Sequence, residues 1–210
     1  MNPHIIKSIF DIFVQENPVP RTELHYRNGF TLVAAVLLSA QATDIGVNKA
    51  TKALFDTADT PEKMVDLGID TIKDYIKTIG LYHNKAKNLF LMSQMLMDKF
   101  NGQIPNNLND LMALPGVGRK TANVVLNELY HIPTIAVDTH VFRVAGRTGI
   151  ATGKNELETE ENLLKNIPEP YLLHAHHHLI LHGRYICKAR KPECSKCKII
   201  NFCEFPDKIL

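Results

Sequence analysis

Apolar residues recur at every third or fourth position through most of this 210-residue chain. No stretch alternates apolar with polar residues for long enough to make a half-buried strand, so the period predicts an all-α fold. Ile5, Ile6, Ile9, Phe10 and Phe13 share one stripe of a first helix that Asn17-Pro18 should end. Phe30, Val33, Ala34, Leu37, Leu38 and Gln41 keep the same spacing in a helix that is apolar almost all round, which places it at the centre of a bundle. Further helices are expected over residues 44–55, 60–67, 69–78, 84–100, 108–113, 119–130, 139–146, 156–166 and 169–183. Thr60-Pro61-Glu62 reads as an N-cap with proline at the first helical position, and Gly80 and Gly183 read as C-terminal stops.

At 45% hydrophobic residues the chain can bury a real core, as one large domain or two small ones. Charged residues at 22%, with 11 glycines and 11 prolines, exclude a collagen-like, low-complexity or wholly disordered chain. No internal repeat is visible. The amino terminus, Met1-Asn2-Pro3-His4, carries no secretory signal. The most apolar window, 30–40, is far short of the roughly 20 residues that span a bilayer. A cytoplasmic protein with no membrane segment is expected.

All four cysteines stand near the carboxyl end, as Cys187-x6-Cys194-x2-Cys197-x5-Cys203. A reducing compartment disfavours disulfides, which leaves a tetrathiolate metal site as the main reading. Thiolates select soft metals, and the spacing alone leaves zinc and an iron–sulfur cluster both open. Either would staple a loop too short to bury a core of its own. The formal net charge of +2 gives no overall basic footprint, so any DNA-binding charge must be local. It gathers in the same loop, where Arg184, Lys188, Arg190, Lys191, Lys196 and Lys198 face a single acid, Glu193. Such a run serves as a solvated tail, as a balance to thiolate charge, or as a contact for phosphate.

Leu114-Pro115-Gly116-Val117-Gly118-Arg119-Lys120-Thr121-Ala122 joins two predicted helices through a tight, glycine-containing connection. Exposed amides at a helix start favour an anion, and phosphate is the natural ligand; an ordinary helix–helix turn is the plainer alternative. Lys120 falls in the first turn of the following helix, where the positive end of the dipole disfavours an ammonium ion. A neutral amine there is a nucleophile able to form a Schiff base, although a lysine that merely grips phosphate is commoner. Asp138, in Val137-Asp138-Thr139-His140-Val141, sits where a helix N-cap is expected. The capping role is the commoner one, but the same carboxylate is suited to taking up a proton and stabilising positive charge on a sugar.

Taken together with Leu37-Leu38-Ser39-Ala40-Gln41-Ala42-Thr43-Asp44 and Leu181-His182-Gly183-Arg184, these motifs make the chain resemble the helix-hairpin-helix DNA glycosylases, specifically the endonuclease III family, over nearly its whole length. The resemblance implies a two-lobed fold: a six-helix barrel over 22–132, and a second helical domain of 1–21 and 133–210 that carries a [4Fe-4S] cluster. It implies that Cys187, Cys194, Cys197 and Cys203 hold the cluster, that Lys120 is the nucleophile and that Asp138 is its acidic partner. DNA contacts would come from Gln41 and Leu81, which fill the hole left by an extruded nucleotide, from Gly116, Val117, Gly118 and Arg119 of the hairpin, and from Lys191. The expected partner is duplex DNA with damaged pyrimidines or abasic sites, met at the nucleoid by a monomeric enzyme.

Lys120, and an end at Leu210 soon after the last cysteine, favour the bifunctional oxidised-pyrimidine branch over the adenine-excising and mismatch-specific relatives. A DNA-binding module without catalysis and a redox carrier are the rival classes. One departure is His178, within His174-Ala175-His176-His177-His178, where the family often has tryptophan. Contiguous histidines on one helix suit packing and surface better than metal binding, so none is counted as a site residue.

Overall fold

The structure, a computed structural model, describes residues 1–209, all of whose regular elements are helical. It divides into two compact units, one of residues 23–130 and the other of 1–22 with 131–210.

The first unit holds α2 (Gly29–Leu38), α3 (Asp44–Thr57), α4 (Pro61–Ile76), α5 (Tyr82–Phe100), α6 (Leu108–Ala113) and α7 (Arg119–Tyr130). Asn28 starts α2 with a capping box: its side chain accepts the Thr31 N–H, and the Thr31 hydroxyl reaches back to the Asn28 N–H. With no polar face, α2 runs through the middle and packs on α3, α5 and α7. Leu32 and Leu38 are fully buried, and each contributes about 1.5–3 kcal/mol by leaving water. The periodic reading overran this helix by three residues. It ends at Leu38, and Gln41 stands beyond it in the left-handed region at φ 54°, because Ser39 already turns its hydroxyl back to the Val36 carbonyl. Thr60 caps α4 as expected, and Gly68, at φ 73° and ψ 160°, breaks α4 between the two segments foreseen there. Gly80 ends no helix; α4 stops at Ile76 and Gly80 lies in the loop that follows.

The second unit holds α1 (Pro3–Glu16), α8 (Thr139–Thr148), α9 (Glu156–Asn166) and α10 (Glu169–Tyr185), followed by 3-10 turns at Cys194–Lys196 and Ile200–Phe202. Ile6, Ile9, Phe10 and Phe13 of α1 share a core with Val141 and Val144 of α8, Leu163 of α9, Leu179 of α10 and Ile199 of the cysteine loop. Here too a glycine departs from the expected role. Gly183 does not stop α10, which continues to Tyr185; a Cβ at 183 would lie 2.9 Å from the His140 Cβ, so the position serves the close approach of α8. The histidine run is inside: His176, His177 and His178 are all buried. His178 Nε2 lies 2.9 Å from the Asn17 carbonyl, and its ring stacks on Phe13.

Candidate active site

Within the first unit, the hairpin between α6 and α7 is shaped by what lies under it. Leu114 and Val117 are buried and tie the turn to the core, with the Val117 N–H donating to the Leu114 carbonyl at 3.0 Å. Gly116 takes φ 80°, and a Cβ there would lie 2.8 Å from Asn88 Cβ and 3.0 Å from Leu37 Cδ1. Both the backbone angle and the space exclude a side chain. Gly118 has nothing within 4 Å of its Cβ position, so its outer side is open. The turn therefore delivers Gly118, Arg119 and Lys120, all exposed, at the start of α7.

Gln41 and Leu81 belong to two loops that meet. The Gln41 carbonyl lies 4.0 Å from where a Gly80 Cβ would stand, and both Gln41 and Leu81 are non-glycine residues at positive φ, 54° and 60°. Leu81 is 58% exposed, at the start of α5 with no side-chain cap. Left-handed backbone at a non-glycine residue costs about 1–3 kcal/mol, so both loops are held in a strained conformation by the structure around them.

In the second unit Asp138 is both cap and candidate acid. Its Oδ1 accepts the N–H groups of His140 and Val141, each at 2.8 Å, which fixes the orientation of the carboxylate. The buried run Ile135, Ala136 and Val137 leads the chain into that position.

Cys187, Cys194, Cys197 and Cys203 form no disulfide and line one cavity with His182, Ile186, Pro192, Ile199 and Phe205. Burial pushes the Cys197 thiol up to about 11, and the nearness of Cys203, Cys187 and Cys194 adds to the rise. Ionising four sulfurs so close together would set like charges against one another, which a cationic centre would offset; four cysteines on one cavity are therefore a donor set that suits a soft metal centre. His182 Nε2 lies 3.7 Å from Cys197 Sγ, and burial lowers this imidazole to about 4. Among the described residues no three His, Cys, Asp or Glu side chains are arranged to hold a single metal ion. Of the basic run, Lys188 and Lys196 both pair with Glu193, while Arg190 and Lys191 are exposed, Lys191 at φ 51°.

Residues 34–169 match the family model of the HhH-GPD superfamily base excision DNA repair proteins. Endonuclease III of Rickettsia felis is 57% identical over 205 residues, covering 98% of this chain and 96% of its own length. That of Escherichia coli K12 is 54% identical over 195 residues, covering 93% and 92%. The chain belongs to the endonuclease III family. An endonuclease III trapped as a covalent intermediate with DNA superposes with a TM-score of 0.91 at 43% identity, over 97% of this chain and 96% of that one. A thermostable thymine-DNA glycosylase, at TM-score 0.84 and 21% identity, shares the fold.

Two side chains of this endonuclease III family member escaped the reading from sequence. Arg143 Nε donates to the Cys187 carbonyl at 2.9 Å and its Nη2 to the Gly183 carbonyl at 2.9 Å. Arg147, one turn further along α8, donates to Cys187 Sγ at 3.6 Å and to the Lys188 carbonyl at 2.7 Å. The signal was present as two arginines four apart, on one face of the helix that Asp138 caps.

Proposed function

We propose that this protein is a bifunctional DNA glycosylase and abasic-site lyase that excises oxidised pyrimidines, with Lys120 as nucleophile and Asp138 as acidic partner. What carries the reading is an exposed lysine in the first turn after a glycine hairpin, in a chain 43% identical to an endonuclease III caught in covalent union with DNA.

A base stacked in duplex DNA shields its sugar C1′, so the nucleotide must first be extruded, at a cost of a few kcal/mol that is least for poorly stacked, damaged bases. Gln41 and Leu81 occupy the space it leaves, and the amides of Gly118 and Arg119 receive a backbone phosphate. The deprotonated Lys120 Nζ then attacks C1′. The glycosidic C–N bond breaks and its electron pair leaves with the base, which takes up a proton. Asp138 stabilises the positive charge developing on the sugar and accepts the proton that the amine must shed. Ring opening gives a Schiff base, which acidifies the C2′ proton. Loss of that proton expels the 3′ phosphate by β-elimination and cuts the strand.

Cys187, Cys194, Cys197 and Cys203 would hold the iron–sulfur cluster, and its iron–thiolate bonds would cross-link residues 187–203. The exposed Lys191 and Arg190 of that segment then meet phosphate. The enzyme acts as a monomer on chromosomal DNA in the cytoplasm; among the described residues no helix is long and apolar enough to cross a membrane.

Base release is to be measured on duplexes carrying an oxidised pyrimidine, a mismatched thymine or a mispaired adenine, with wild type and Lys120→Ala in parallel. The expected result is release and strand cleavage on the oxidised-pyrimidine duplex, both lost in the variant. Salt-dependent binding of every duplex without release from any would make the protein a DNA-binding module instead.

A further inference from the structure

Arg147 makes an unusual set of contacts. Its Nη1 lies 3.6 Å from Cys187 Sγ and 2.7 Å from the Lys188 carbonyl, and its Nη2 lies 3.1 Å from the Ala189 carbonyl. The guanidinium carbon stands 4.6 Å from the centre of the Phe205 ring, which lines the same cavity as the thiols. The backbone carbonyl of Arg147 lies 3.6 Å from Cys203 Sγ, and the next carbonyl, of Thr148, accepts the Glu204 N–H at 3.2 Å. One residue thus touches the first and the last of the four cysteines and both ends of the segment that carries them.

None of those guanidinium contacts is a carboxylate; they are two carbonyls, one sulfur and one aromatic face. A planar fork of N–H donors that stacks on a ring while serving three acceptors is specific to arginine, since a lysine ammonium can supply the charge but not the geometry. Hydrogen bonds to cluster thiolates withdraw electron density from the metal, and a nearby positive charge favours the more negative, reduced state. Both effects raise a reduction potential.

We propose that Arg147 is a positioning residue for the cluster: through Cys187 it sets the reduction potential, and through residues 188, 189 and 205 it holds the cysteine segment closed. This rests on the reading that the four cysteines bind an iron–sulfur cluster.

The test uses the holoprotein free of DNA, as wild type, Arg147→Gln and Arg147→Lys. Iron and sulfide content and visible absorption establish loading; voltammetry then gives the potential, and a chelator the rate of bleaching. Arg147→Gln is expected to shift the oxidised-to-reduced ratio at fixed potential about tenfold toward the oxidised form, about 59 mV for a one-electron couple, and to bleach several-fold faster. Arg147→Lys should recover part of the potential, through charge, and little of the bleaching rate. Faster bleaching at an unchanged potential in both variants would reduce Arg147 to packing and overturn the proposal. If Arg147→Gln fails to fold, Arg147→Lys decides alone: wild-type potential and bleaching would overturn it. Wild-type protein that binds neither iron nor sulfide under anaerobic reconstitution would sink the cluster reading itself, a distinguishable failure.

Discussion

Asp138 Oδ1 accepts the Val141 N–H at 2.8 Å, and it accepts the His140 N–H at the same distance, so the carboxylate proposed as the acidic partner is also the cap on which α8 is built. Substitution can separate the two duties. Asparagine caps a helix about as well as aspartate but cannot take up a proton. Asp138→Asn should leave the unfolding free energy within about 0.5 kcal/mol of wild type while single-turnover base release falls by about 10²–10⁴. Asp138→Ala should lose a further ~1 kcal/mol of stability. Equal unfolding for the two variants in denaturant titrations would show that the cap contributes nothing.

The two hairpin glycines should respond differently to alanine. At 116 the side chain meets Asn88 and Leu37 and the backbone is at φ 80°, so Gly116→Ala should cost about 2–4 kcal/mol in chemical denaturation. At 118 there is open space, so Gly118→Ala should fold with a loss under about 1 kcal/mol. Its methyl group instead stands where a phosphate is proposed to approach, and duplex affinity should fall roughly tenfold. Unchanged affinity in Gly118→Ala would remove the hairpin from the DNA contacts.

Stability should decline in acid through His178. Burial lowers this imidazole from its ordinary 6.5, and the neighbouring His174 and His177 lower it further, against the raising effect of the hydrogen bond it donates to the Asn17 carbonyl. With Nε2 donating to Asn17, protonation must place a second N–H at Nδ1, a buried atom with no partner. A depressed folded value means that the unfolded chain binds the proton more readily. The contribution is therefore complete above 6.5 and is lost as pH falls below it. Thermal melts between pH 7.5 and 5 should show His178→Phe losing less stability than wild type; parallel curves would exclude His178 as a source of the acid limb.

Lys85 is a polar side chain in the wrong place. It lies on the buried stripe of α5 with Ala86, Leu89 and Met92, is 5% exposed, and its Nζ has no hydrogen-bond partner; burial lowers its ionisation. Lys85→Met keeps the length and removes the polar head, and should gain about 1–3 kcal/mol near pH 7. The gain should shrink as pH rises toward 10.5, where the unfolded lysine also becomes neutral. A loss of stability in the variant would show that the amine is satisfied in solution.

Helix period alone placed the elements well where one face is apolar, because burial and backbone spacing then demand the same thing; 108–113, 119–130 and 156–166 coincide with α6, α7 and α9. It misled where a residue has two plausible duties. Gln41 continued the apolar spacing of α2 yet turned out of the helix, and Gly183 was read as a stop when it makes room for His140. Cysteine clustering and the glycine hairpin were legible because each is a local pattern with a local reason. Arg143 and Arg147 were not, since their partners lie some 40 residues away along the chain and only the fold brings α8 to the cysteine segment.

Lys120 is proposed to bond covalently to deoxyribose. Borohydride added during the reaction with an oxidised-pyrimidine duplex should fix a protein–DNA adduct that survives denaturing electrophoresis, and peptide mapping should find it at Lys120. Lys120→Ala should give no adduct while binding the duplex with affinity within about tenfold of wild type. An adduct of undiminished yield in Lys120→Ala, or one mapped to another amine, would contradict the account.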